Sequence, residues 1–263
     1  MTESDQMLTA VLDCEKIDLV VGNKSLTYVQ NKLYQRMKER RSSNEPLQYI
    51  IGYCDFIGLT LSVDKRVLVP RPETEILVEK AIQLLQETEK RNKPLKILDL
   101  GTGSGNIAIA LAKNITRAYI TSVEISQDAL DVAQHNAIQH KVDSRIDFVC
   151  KDMKTFLAED KGIFDLIISN PPYIPSKQFS TLPLDVQQEP RLSLDGGEDG
   201  LDFYQSIIIN ANRLLNKGGF LLMEIGDGQR EGIERLFQKY SYYQVSIFYK
   251  DYVGTERIVE ARR

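Results

Sequence analysis

The sequence is poor in the residues that form disulfides and bind metals. Its 263 residues include three cysteines and two histidines. Cys14, Cys54 and Cys150 stand far apart with no paired spacing, which argues against a disulfide framework or a zinc motif. His135 and His140 lie five positions apart on one predicted helix, a spacing that does not suit shared ligation of an ion. We therefore predict no bound metal.

Long apolar runs and an excess of positive charge are also missing. The acidic start, "MTESDQ", is followed by no apolar segment long enough for a signal peptide or a membrane span, which predicts a cytoplasmic protein without a membrane partner. The formal net charge is -4. Proteins that bind a nucleic-acid backbone usually carry a basic face, so we expect no direct nucleic-acid partner. The composition is that of an ordinary globular protein and fits a monomer.

The sequence does contain a regular alternation of apolar strands and helices. The strands "LKILDL", "AYITSVE", "IDFVCKD", "FDLIIS" and "GFLLMEIG" are separated by segments with helical or loop character. Buried apolar strands that alternate with helices are typical of a parallel sheet covered on both faces. The last segment, "YYQVSIFYKDYVGTERIVEARR", has the pattern of two strands with no helix between them. We predict an α/β fold whose parallel sheet ends in an antiparallel hairpin.

Two segments precede this alternation. Residues 1–45 have the pattern of a small helical domain, and residues 46–72 alternate in a way that favours a β-hairpin linker. The larger α/β domain is predicted over residues 73–263, starting with the amphipathic helix "TEILVEKAIQLLQETEK". Residues 174–200 show no regular pattern. A loop of this length in a compact domain is usually a lid or a binding loop, or it is disordered.

A glycine-rich turn joins the strand "LKILDL" to the helix "NIAIALAKN". Gly101, Gly103 and Gly105 allow the backbone to adopt positive φ and allow a ligand to approach closely. Their spacing is G-x-G-x-G, not the G-x-G-x-x-G of dinucleotide-binding folds. Asp99 puts a negative charge near the place where a pyrophosphate would lie. The turn therefore favours a ligand with an ammonium group, such as S-adenosylmethionine.

Side chains after the next two strands fit the same ligand. Glu124 ends the second strand, where a carboxylate can accept both ribose hydroxyls. Asp152 follows the third strand and can bind the adenine amino group, while Met153 can lie against the ring. Asp152 can equally cap the helix "MKTFLAED", and the two roles can coexist. The predicted cofactor site comprises Gly101, Thr102, Gly103, Ser104, Gly105, Glu124, Asp152, Met153 and Asn170.

The tetrad "NPPY" follows the fourth strand, "FDLIIS". Ligands of open parallel sheets bind outside the carboxyl ends of the strands, where the strand order reverses, and a reversal here would place Asn170 beside the cofactor. An amide or aromatic amine nitrogen is a poor nucleophile because its lone pair is delocalised. The Asn170 side-chain oxygen and the Pro171 carbonyl can accept its two hydrogens and orient it. Pro171 and Pro172 fix φ and donate no N–H, and Tyr173 offers a flat face to a planar group. A turn without function is the alternative, which the position at the strand end disfavours.

Five stretches together resemble the HemK/PrmC family of release factor-specific protein-(glutamine-N5) methyltransferases. They are "EPLQYIIG", "VLVPRPETE", "DLGTGSGNIAIALA", "ISNPPYI" and "QEPRLSLDGGEDGLDFY", and the likeness extends from about Glu45 to the C-terminus. "NPPY" by itself also occurs in adenine-N6 DNA methyltransferases and in several ribosomal enzymes. "PRPETE" and the "EP…GGEDGLD" stretch make the resemblance much more specific.

The resemblance implies a class I methyltransferase (Rossmann-like) fold, with a seven-stranded, mostly parallel sheet, an antiparallel C-terminal hairpin and a small N-terminal helical domain that helps hold the substrate. The implied reaction moves a methyl group from S-adenosyl-L-methionine, which leaves S-adenosyl-L-homocysteine. Its acceptor is the side-chain amide nitrogen of the glutamine in the Gly-Gly-Gln motif of class-1 peptide chain release factors. Cofactor contacts then fall on Gly101 to Gly105, Glu124, Met153 and Asn170. The substrate amide contacts Asn170 to Tyr173, and the helical part before "EPLQYI" is shorter than is typical of the family.

Two other functions stay open from the sequence. An adenine-N6 nucleic-acid methyltransferase would use the same tetrad on a flipped base, although the net charge of -4 and the short N-terminal part count against it. A non-catalytic partner protein that binds S-adenosylmethionine is disfavoured because Asn170 and both prolines are present. Arg71 and Glu75 of "PRPETE" can bracket the mouth of the site or form structural salt bridges, and the sequence does not separate these two roles.

Overall fold

The N-terminal part of the chain is helical in the computed structural model, which describes residues 2–21, 25–88, 93–240 and 242–263. Its helices are α1 (Glu3–Leu12), α2 (Lys16–Val21), α3 (Tyr28–Ser42) and α4 (Leu47–Ile51). α1 and α3 each begin with a capping box, at Thr2 and Thr27, which satisfies the first free N–H groups of the helix. The helices enclose a small core of their own, formed by Met7, Val11, Met37, Leu47 and Ile50.

The segment predicted to start a hairpin begins with helix α4 instead. Leu47 and Ile50 lie three positions apart on one helical face, and both pack into the small N-terminal core. Gly52 ends the helix in the left-handed conformation, with φ 87°. The hairpin follows as β1 (Tyr53–Phe56) and β2 (Leu59–Ser62), which pair antiparallel. The packing of α4 against the helices before it therefore overrides the local alternation of the sequence.

The rest of the chain alternates helices and strands as predicted. Its elements are α5 (Pro72–Thr88), β3 (Leu95–Leu100), α6 (Asn106–Asn114), β4 (Ala118–Glu124), α7 (Gln127–Gln139), β5 (Ile146–Cys150), α8 (Met153–Glu159), β6 (Phe164–Ser169), α9 (Asp202–Leu214), β7 (Leu215–Glu224), α10 (Arg230–Tyr240), β8 (Val245–Lys250) and β9 (Glu256–Arg262). Leu77, Ala81 and Leu85 of the predicted apolar stripe of α5 are fully buried against the sheet. Ser126 caps α7 through a bond from the Ala129 N–H.

The strands form one seven-stranded sheet with the order β5-β4-β3-β6-β7-β9-β8. β5, β4, β3, β6 and β7 are parallel, and β9 is antiparallel to both of its neighbours. This confirms the mostly parallel sheet with an antiparallel C-terminal hairpin. The order reverses between β3 and β6, where Leu100 pairs with Ser169. The glycine turn after β3 and the tetrad after β6 therefore leave the sheet side by side.

The long connection between β6 and α9 is built from short 3-10 turns. They span Ser176–Thr181, Val186–Gln188 and Arg191–Ser193. An isolated bridge joins Ile174 to Asp195, and Ser176 donates a hydrogen bond to the Asp195 carboxylate. These contacts fold the segment back on itself beside the tetrad.

Three properties of the described residues bear on the predictions made from composition. No helix in the described part of the chain is long and apolar enough to cross a membrane. No group of three or more histidine, cysteine or acidic side chains within the described ranges is arranged to hold a metal ion. All three cysteines are free thiols.

Candidate functional site

A cavity opens at the carboxyl ends of β3, β4, β5 and β6. Six of the nine residues predicted for the cofactor site lie in its wall: Gly101, Gly103, Glu124, Asp152, Met153 and Asn170. Thr102, Ser104 and Gly105 are outside the wall and are buried beneath the turn. The wall also contains apolar side chains that the sequence did not single out, namely Leu68, Ile125, Leu192 and Phe203.

The glycine turn presents bare backbone to this cavity. Gly101, Gly103 and Gly105 have φ values of 76°, 53° and 83°, in the left-handed region that glycine favours. A Cβ atom at Gly101 would lie 3.2 Å from the Met153 methyl carbon. A Cβ atom at Gly105 would lie 3.3 Å from the Ala133 backbone. The turn therefore requires glycine for its conformation and for its packing against α7 and Met153.

Glu124 braces the turn from the neighbouring strand. One carboxylate oxygen accepts the Gly103 N–H at 3.0 Å, and the other accepts the N–H groups of Ile125 and Ser126 at 2.9 and 3.1 Å. A carboxylate has about four acceptor positions, so three are occupied within the protein. The side chain thus fixes the loop geometry and keeps one acceptor position without a protein donor, in a residue that lines the cavity.

Asp99 is a buried carboxylate beneath the turn. One of its oxygens, Oδ2, accepts hydrogen bonds from the hydroxyls of Thr102 at 2.5 Å and Ser122 at 3.4 Å. The other, Oδ1, has no partner among the described residues. Burial raises the pKa of Asp99 to about 7, the Thr102 bond opposes the rise, and the charge of Glu124 adds to it. A cation nearby would favour the ionised form.

The electrostatic character of the cavity is therefore set by acids. Asp152 and Glu124 lie in its wall and Asp99 lies below it. Lys151 is the basic residue of the wall, and its ammonium is paired with the Glu159 carboxylate. Such a site suits a ligand that carries positive charge and disfavours a pyrophosphate.

Asp152 caps helix α8. Its Oδ1 atom accepts the Thr155 N–H at 2.8 Å and the Thr155 hydroxyl at 3.0 Å. The capping role considered for Asp152 is thus present in the structure. The same residue lines the cavity, and Met153, which follows it, is also in the wall.

Asn170 stands where this cavity meets a second one. The second cavity is lined by Leu68, Arg71, Glu73, Asn170, Tyr173, Ile174, Pro183, Val186, Ser193, Leu194 and Arg257. Asn170, Leu68 and Ser193 belong to both walls. Of the other tetrad residues, Pro172 lines the first cavity and Tyr173 the second, whereas Pro171 is buried and lines neither.

The side-chain amide of Asn170 is held by a hydrogen-bond chain. Its Nδ2 atom donates to the Thr74 hydroxyl at 3.0 Å, and that hydroxyl donates to the Glu224 carboxylate at 2.6 Å. No described residue donates to the Asn170 Oδ1 atom or to the Pro171 carbonyl. The two acceptors that the tetrad was predicted to offer are therefore free of protein donors.

Glu224 lies at the end of β7, next to the tetrad. Met223 pairs with Ser169 of β6, so Glu224 and Asn170 occupy equivalent positions at the sheet edge. The Tyr173 hydroxyl donates to the second Glu224 oxygen at 3.4 Å. Burial raises the pKa of Glu224 to about 7, while the bond from Thr74 opposes the rise. Burial also raises the pKa of the Tyr173 phenol, with the charge of Glu224 adding to it.

The glycines of "GGEDG" pack the long loop against the tetrad. A Cβ atom at Gly196 would lie 2.8 Å from the Tyr173 Cα atom and 2.9 Å from the Pro172 carbonyl oxygen. Gly200, with φ 80°, faces the Tyr173 carbonyl as closely. Gln229 holds the same carbonyl through an Nε2 donor at 2.9 Å. The loop therefore supports the backbone of the tetrad directly.

Arg71 and Glu75 both make structural bonds. Arg71 pairs with Glu189, whose other oxygen accepts the Val69 N–H at 2.9 Å. Glu75 accepts the Ile57 N–H at 2.9 Å and so joins α5 to the β1–β2 turn. Arg71 also lines the second cavity.

Sequence reasoning missed Thr74, Glu224 and Gln229. A signal for Glu224 was present, because an acid that ends the apolar strand "GFLLMEIG" stands at the same sheet edge as Glu124. Thr74 and Gln229 lie at the start of α5 and just before α10, and their contacts with the tetrad depend on tertiary packing alone.

Two family models match the chain. The model described as "Methyltransferase domain" matches residues 91–258, and the model described as "PrmC N-terminal domain" matches residues 2–52. The first covers strands β3 to β8 and the start of β9, and the second covers helices α1 to α4.

Solved structures support the fold. The catalytic domain of hMettl16 in complex with the MAT2A 3'UTR hairpin 6 is similar with a TM-score of 0.62 and 13% identity, over 91% of this chain and 93% of that one. The ribosomal protein L11 methylase from Lactobacillus delbrueckii subsp. bulgaricus is similar with a TM-score of 0.54 and 22% identity, over 76% of this chain and 83% of that one. These likenesses identify the class I methyltransferase fold.

Curated relatives are closer in sequence. The release factor glutamine methyltransferase of Geobacter sulfurreducens is 37% identical over 99% of this chain and 88% of its own length. That of Chlorobaculum tepidum is 41% identical over 87% of this chain and 79% of its own length. The chain belongs to the release factor glutamine methyltransferase family.

Proposed function

We propose that this protein transfers a methyl group from S-adenosyl-L-methionine to the side-chain amide nitrogen of the glutamine in the Gly-Gly-Gln motif of class-1 peptide chain release factors. The family assignment supports the class of reaction and of substrate. The observation that carries the proposal is the position of Asn170. Its side-chain oxygen is free of protein donors at the junction of two cavities, one acidic and one beside the long loop.

The first cavity has the chemistry that the cofactor requires. The sulfonium and ammonium groups of S-adenosyl-L-methionine are cationic, and the wall contains Glu124 and Asp152 with Asp99 below. We assign the amino-acid part to the glycine turn, a ribose hydroxyl to the remaining acceptor position of Glu124, and the adenine to Asp152 and Met153. When bound, S-adenosyl-L-methionine supplies an electrophilic methyl group.

The tetrad acts by orientation. The two hydrogens of the substrate amide are accepted by the Asn170 Oδ1 atom and by the carbonyl of Pro171, which lines neither cavity but lies between two wall residues, Asn170 and Pro172. These acceptors hold the nitrogen with its π face toward the methyl donor. The same oxygens stabilise the positive charge that develops on the nitrogen. The ring of Tyr173 lies along the second cavity and supports the planar amide. After transfer the nitrogen is strongly acidic and loses its proton to water, so no strong base is needed.

The remaining parts of the chain are proposed to hold the substrate protein. The second cavity carries Arg71, Glu73 and Arg257 and is open to receive the segment that bears the glutamine. The predicted division into a helical docking domain (residues 1–45), a hairpin linker (46–72) and a catalytic domain (73–263) is kept with one change. Helix α4 (Leu47–Ile51) is assigned to the helical domain, because it packs into the core of that domain. We expect a cytoplasmic monomer whose substrate is a translation factor.

Replacement of Asp152 separates its two proposed roles. Asp152→Ala removes the cap of α8 and is expected to lower the free energy of unfolding by about 1 kcal/mol. It also removes the proposed adenine acceptor, so affinity for S-adenosyl-L-methionine should fall. Asp152→Ser keeps an oxygen for the cap and should restore stability without restoring affinity. Urea unfolding and calorimetric titration of the cofactor measure the two effects, and affinity that returns with serine would contradict the adenine contact.

The proposed function predicts labelling of one glutamine. Purified protein with methyl-labelled S-adenosyl-L-methionine should methylate a class-1 release factor, and mass spectrometry should locate the methyl group on the Gly-Gly-Gln glutamine. A release factor with that glutamine changed to alanine should not be labelled, because the proposed acceptor amide is then absent.

The same experiment addresses the alternative functions. Adenine-containing DNA is added as a competing acceptor, and it should neither be labelled nor reduce labelling of the release factor. Equal labelling of the alanine variant, or transfer to DNA, would contradict the assignment. Cofactor binding without any transfer would indicate the non-catalytic partner protein.

A further inference from the structure

Glu224 is a buried carboxylate to which the proposed reaction gives no task. Its residue is 1% exposed, yet it is placed at the sheet edge beside the tetrad. Buried acids without a cation in contact are uncommon, because burial disfavours the charge. Among the described residues, the hydrogen bonds to its carboxylate lead to the site: Thr74 donates to one oxygen and Tyr173 to the other.

When the Glu224 carboxylate is ionised, each donor and each acceptor in the hydrogen-bond chain from Glu224 to Asn170 is fixed. An ionised carboxylate only accepts, so the single hydroxyl hydrogen of Thr74 points to Glu224. The Thr74 oxygen can then only accept from Asn170. It therefore selects the Nδ2 group of the Asn170 amide, at 3.0 Å, and turns the Oδ1 atom the other way.

The two orientations of an asparagine amide are nearly equal in shape and opposite in hydrogen bonding. With the amide rotated by 180°, Asn170 would present an NH2 group to the NH2 group of the substrate. Two donors cannot bond to each other, and the substrate amide would lose one of its two acceptors. The orientation of this one side chain thus decides whether the tetrad can hold a glutamine.

We propose that Glu224 and Thr74 are positioning residues that fix the Asn170 amide with its oxygen toward the substrate. The proposal rests on the methyl transfer to a glutamine amide proposed above. It adds two residues to the site, because Asn170 contacts the substrate, and Glu224 and Thr74 orient Asn170.

The groups around Glu224 determine how the orientation of the Asn170 amide depends on pH. The charged groups that act on its carboxylate are Glu73 of α5 and Arg257 of β9, and the hydroxyls of Thr74 and Tyr173 donate to it. The Tyr204 hydroxyl donates to the backbone carbonyl of Glu224. Burial raises the pKa of Glu224 most and Glu73 adds to the rise, whereas the bond from Thr74 and the charge of Arg257 oppose it. Orientation of Asn170 is expected to improve as the pH rises through the region of about 7 in which the carboxylate ionises.

Thr74→Val tests the chain with little change of shape. Valine keeps the volume but cannot accept the Asn170 Nδ2 hydrogen, so kcat/KM toward the release factor should fall on the order of 10- to 100-fold. Affinity for S-adenosyl-L-methionine should stay within about twofold, because Thr74 does not line the first cavity. Thr74→Ser keeps the hydroxyl and should recover most of the activity.

Thr60→Val is the matched control. Thr60 also donates its hydroxyl to a carboxylate, that of Asp55, but on the exposed hairpin far from the site. Its replacement should leave kcat/KM unchanged.

Glu224→Gln is the second variant: a neutral amide can offer either an oxygen or an NH2 group to Thr74. It should lower kcat and remove the rise of kcat with pH through about 7.

A measurement without turnover separates this inference from the proposed function. The side-chain NH2 signals of Asn170, assigned in 15N spectra by their loss in Asn170→Ala, report directly on its partner. They should shift in Thr74→Val and Glu224→Gln and stay in place in Thr60→Val. Signals that do not respond to either change, or full activity of Thr74→Val, would overturn the inference even where the wild type methylates its glutamine. If the wild type does not methylate the glutamine but the NH2 signals still shift in the two variants, the role of Thr74 and Glu224 in orienting Asn170 is supported and the proposed substrate is wrong.

Discussion

Replacement of Asn170 by alanine should reduce methyl transfer by about 100- to 1,000-fold, the loss typical of removing one preorganised group that stabilises developing charge. The variant keeps the Pro171 carbonyl but loses the second acceptor, so the substrate nitrogen is no longer held at both hydrogens. Single-turnover transfer to a release factor measures the effect. Affinity for S-adenosyl-L-methionine should fall much less, because Asn170 is one of several residues in the wall of the first cavity.

Asn210→Ala provides the control for this prediction. Asn210 lies on α9 and donates its side-chain NH2 group to the Ser206 carbonyl, without contact to either cavity. Its loss should leave transfer unchanged. Turnover that persists in Asn170→Ala at a rate near that of the Asn210 variant would show that the tetrad does not act by holding the amide.

Most of the fold was accessible from the sequence because the strands are apolar on both faces. The runs from "LKILDL" to "GFLLMEIG" are too short for buried helices and are separated by clear helical patterns. Parallel order then follows from the alternation, and the strand order reverses between β3 and β6, where the sequence predicts the ligand. The helix Leu47–Ile51 was missed, because a five-residue segment rich in leucine, isoleucine and tyrosine fits both patterns.

The site was predictable where it depends on strand ends and not where it depends on packing between distant segments. Gly101 and Asn170 each follow a strand and Glu124 ends one, so a single rule places them at one edge. The bond between Thr74 and Glu224 joins residues 150 positions apart. The periodic pattern of a single helix or strand does not indicate contacts between residues so far apart in the sequence. Only the docking of α5 against β7 brings the two side chains together.

The long loop illustrates the same limit. Its sequence predicts a lid, a binding loop or a disordered segment, but not the contact that anchors it. The Glu189 carboxylate within it accepts the Val69 N–H and pairs with Arg71, on the segment that enters α5. Both cavities are bounded by Leu68 on that segment and by Ser193 of the loop. The pair between Arg71 and Glu189 therefore joins the two sides of the site.

Loss of the arginine from this pair should destabilise the protein strongly. In Arg71→Met the Glu189 side chain, which is 2% exposed, would keep its charge with a single N–H donor, and the free energy of unfolding should fall by about 3 kcal/mol. Burial already raises the pKa of Glu189, and Arg71 acts against this rise. Without Arg71 the pKa rises further. The destabilisation should therefore be largest at pH 8 and should shrink toward pH 5, as Glu189 takes up a proton and no longer needs a cation.

Arg191→Met gives the comparison for this ion pair. Arg191 pairs with Asp195 on the same loop, but its side chain is 61% exposed. Exposed pairs contribute little, so unfolding in urea should shift by less than about 1 kcal/mol at either pH. A loss in Arg71→Met that is no greater than in Arg191→Met, or that does not change between pH 5 and 8, would show that Glu189 does not depend on the arginine for its charge. The stability of the loop would then come from its glycine contacts with the tetrad, and Arg71 would be left with its place in the wall of the second cavity as its principal role.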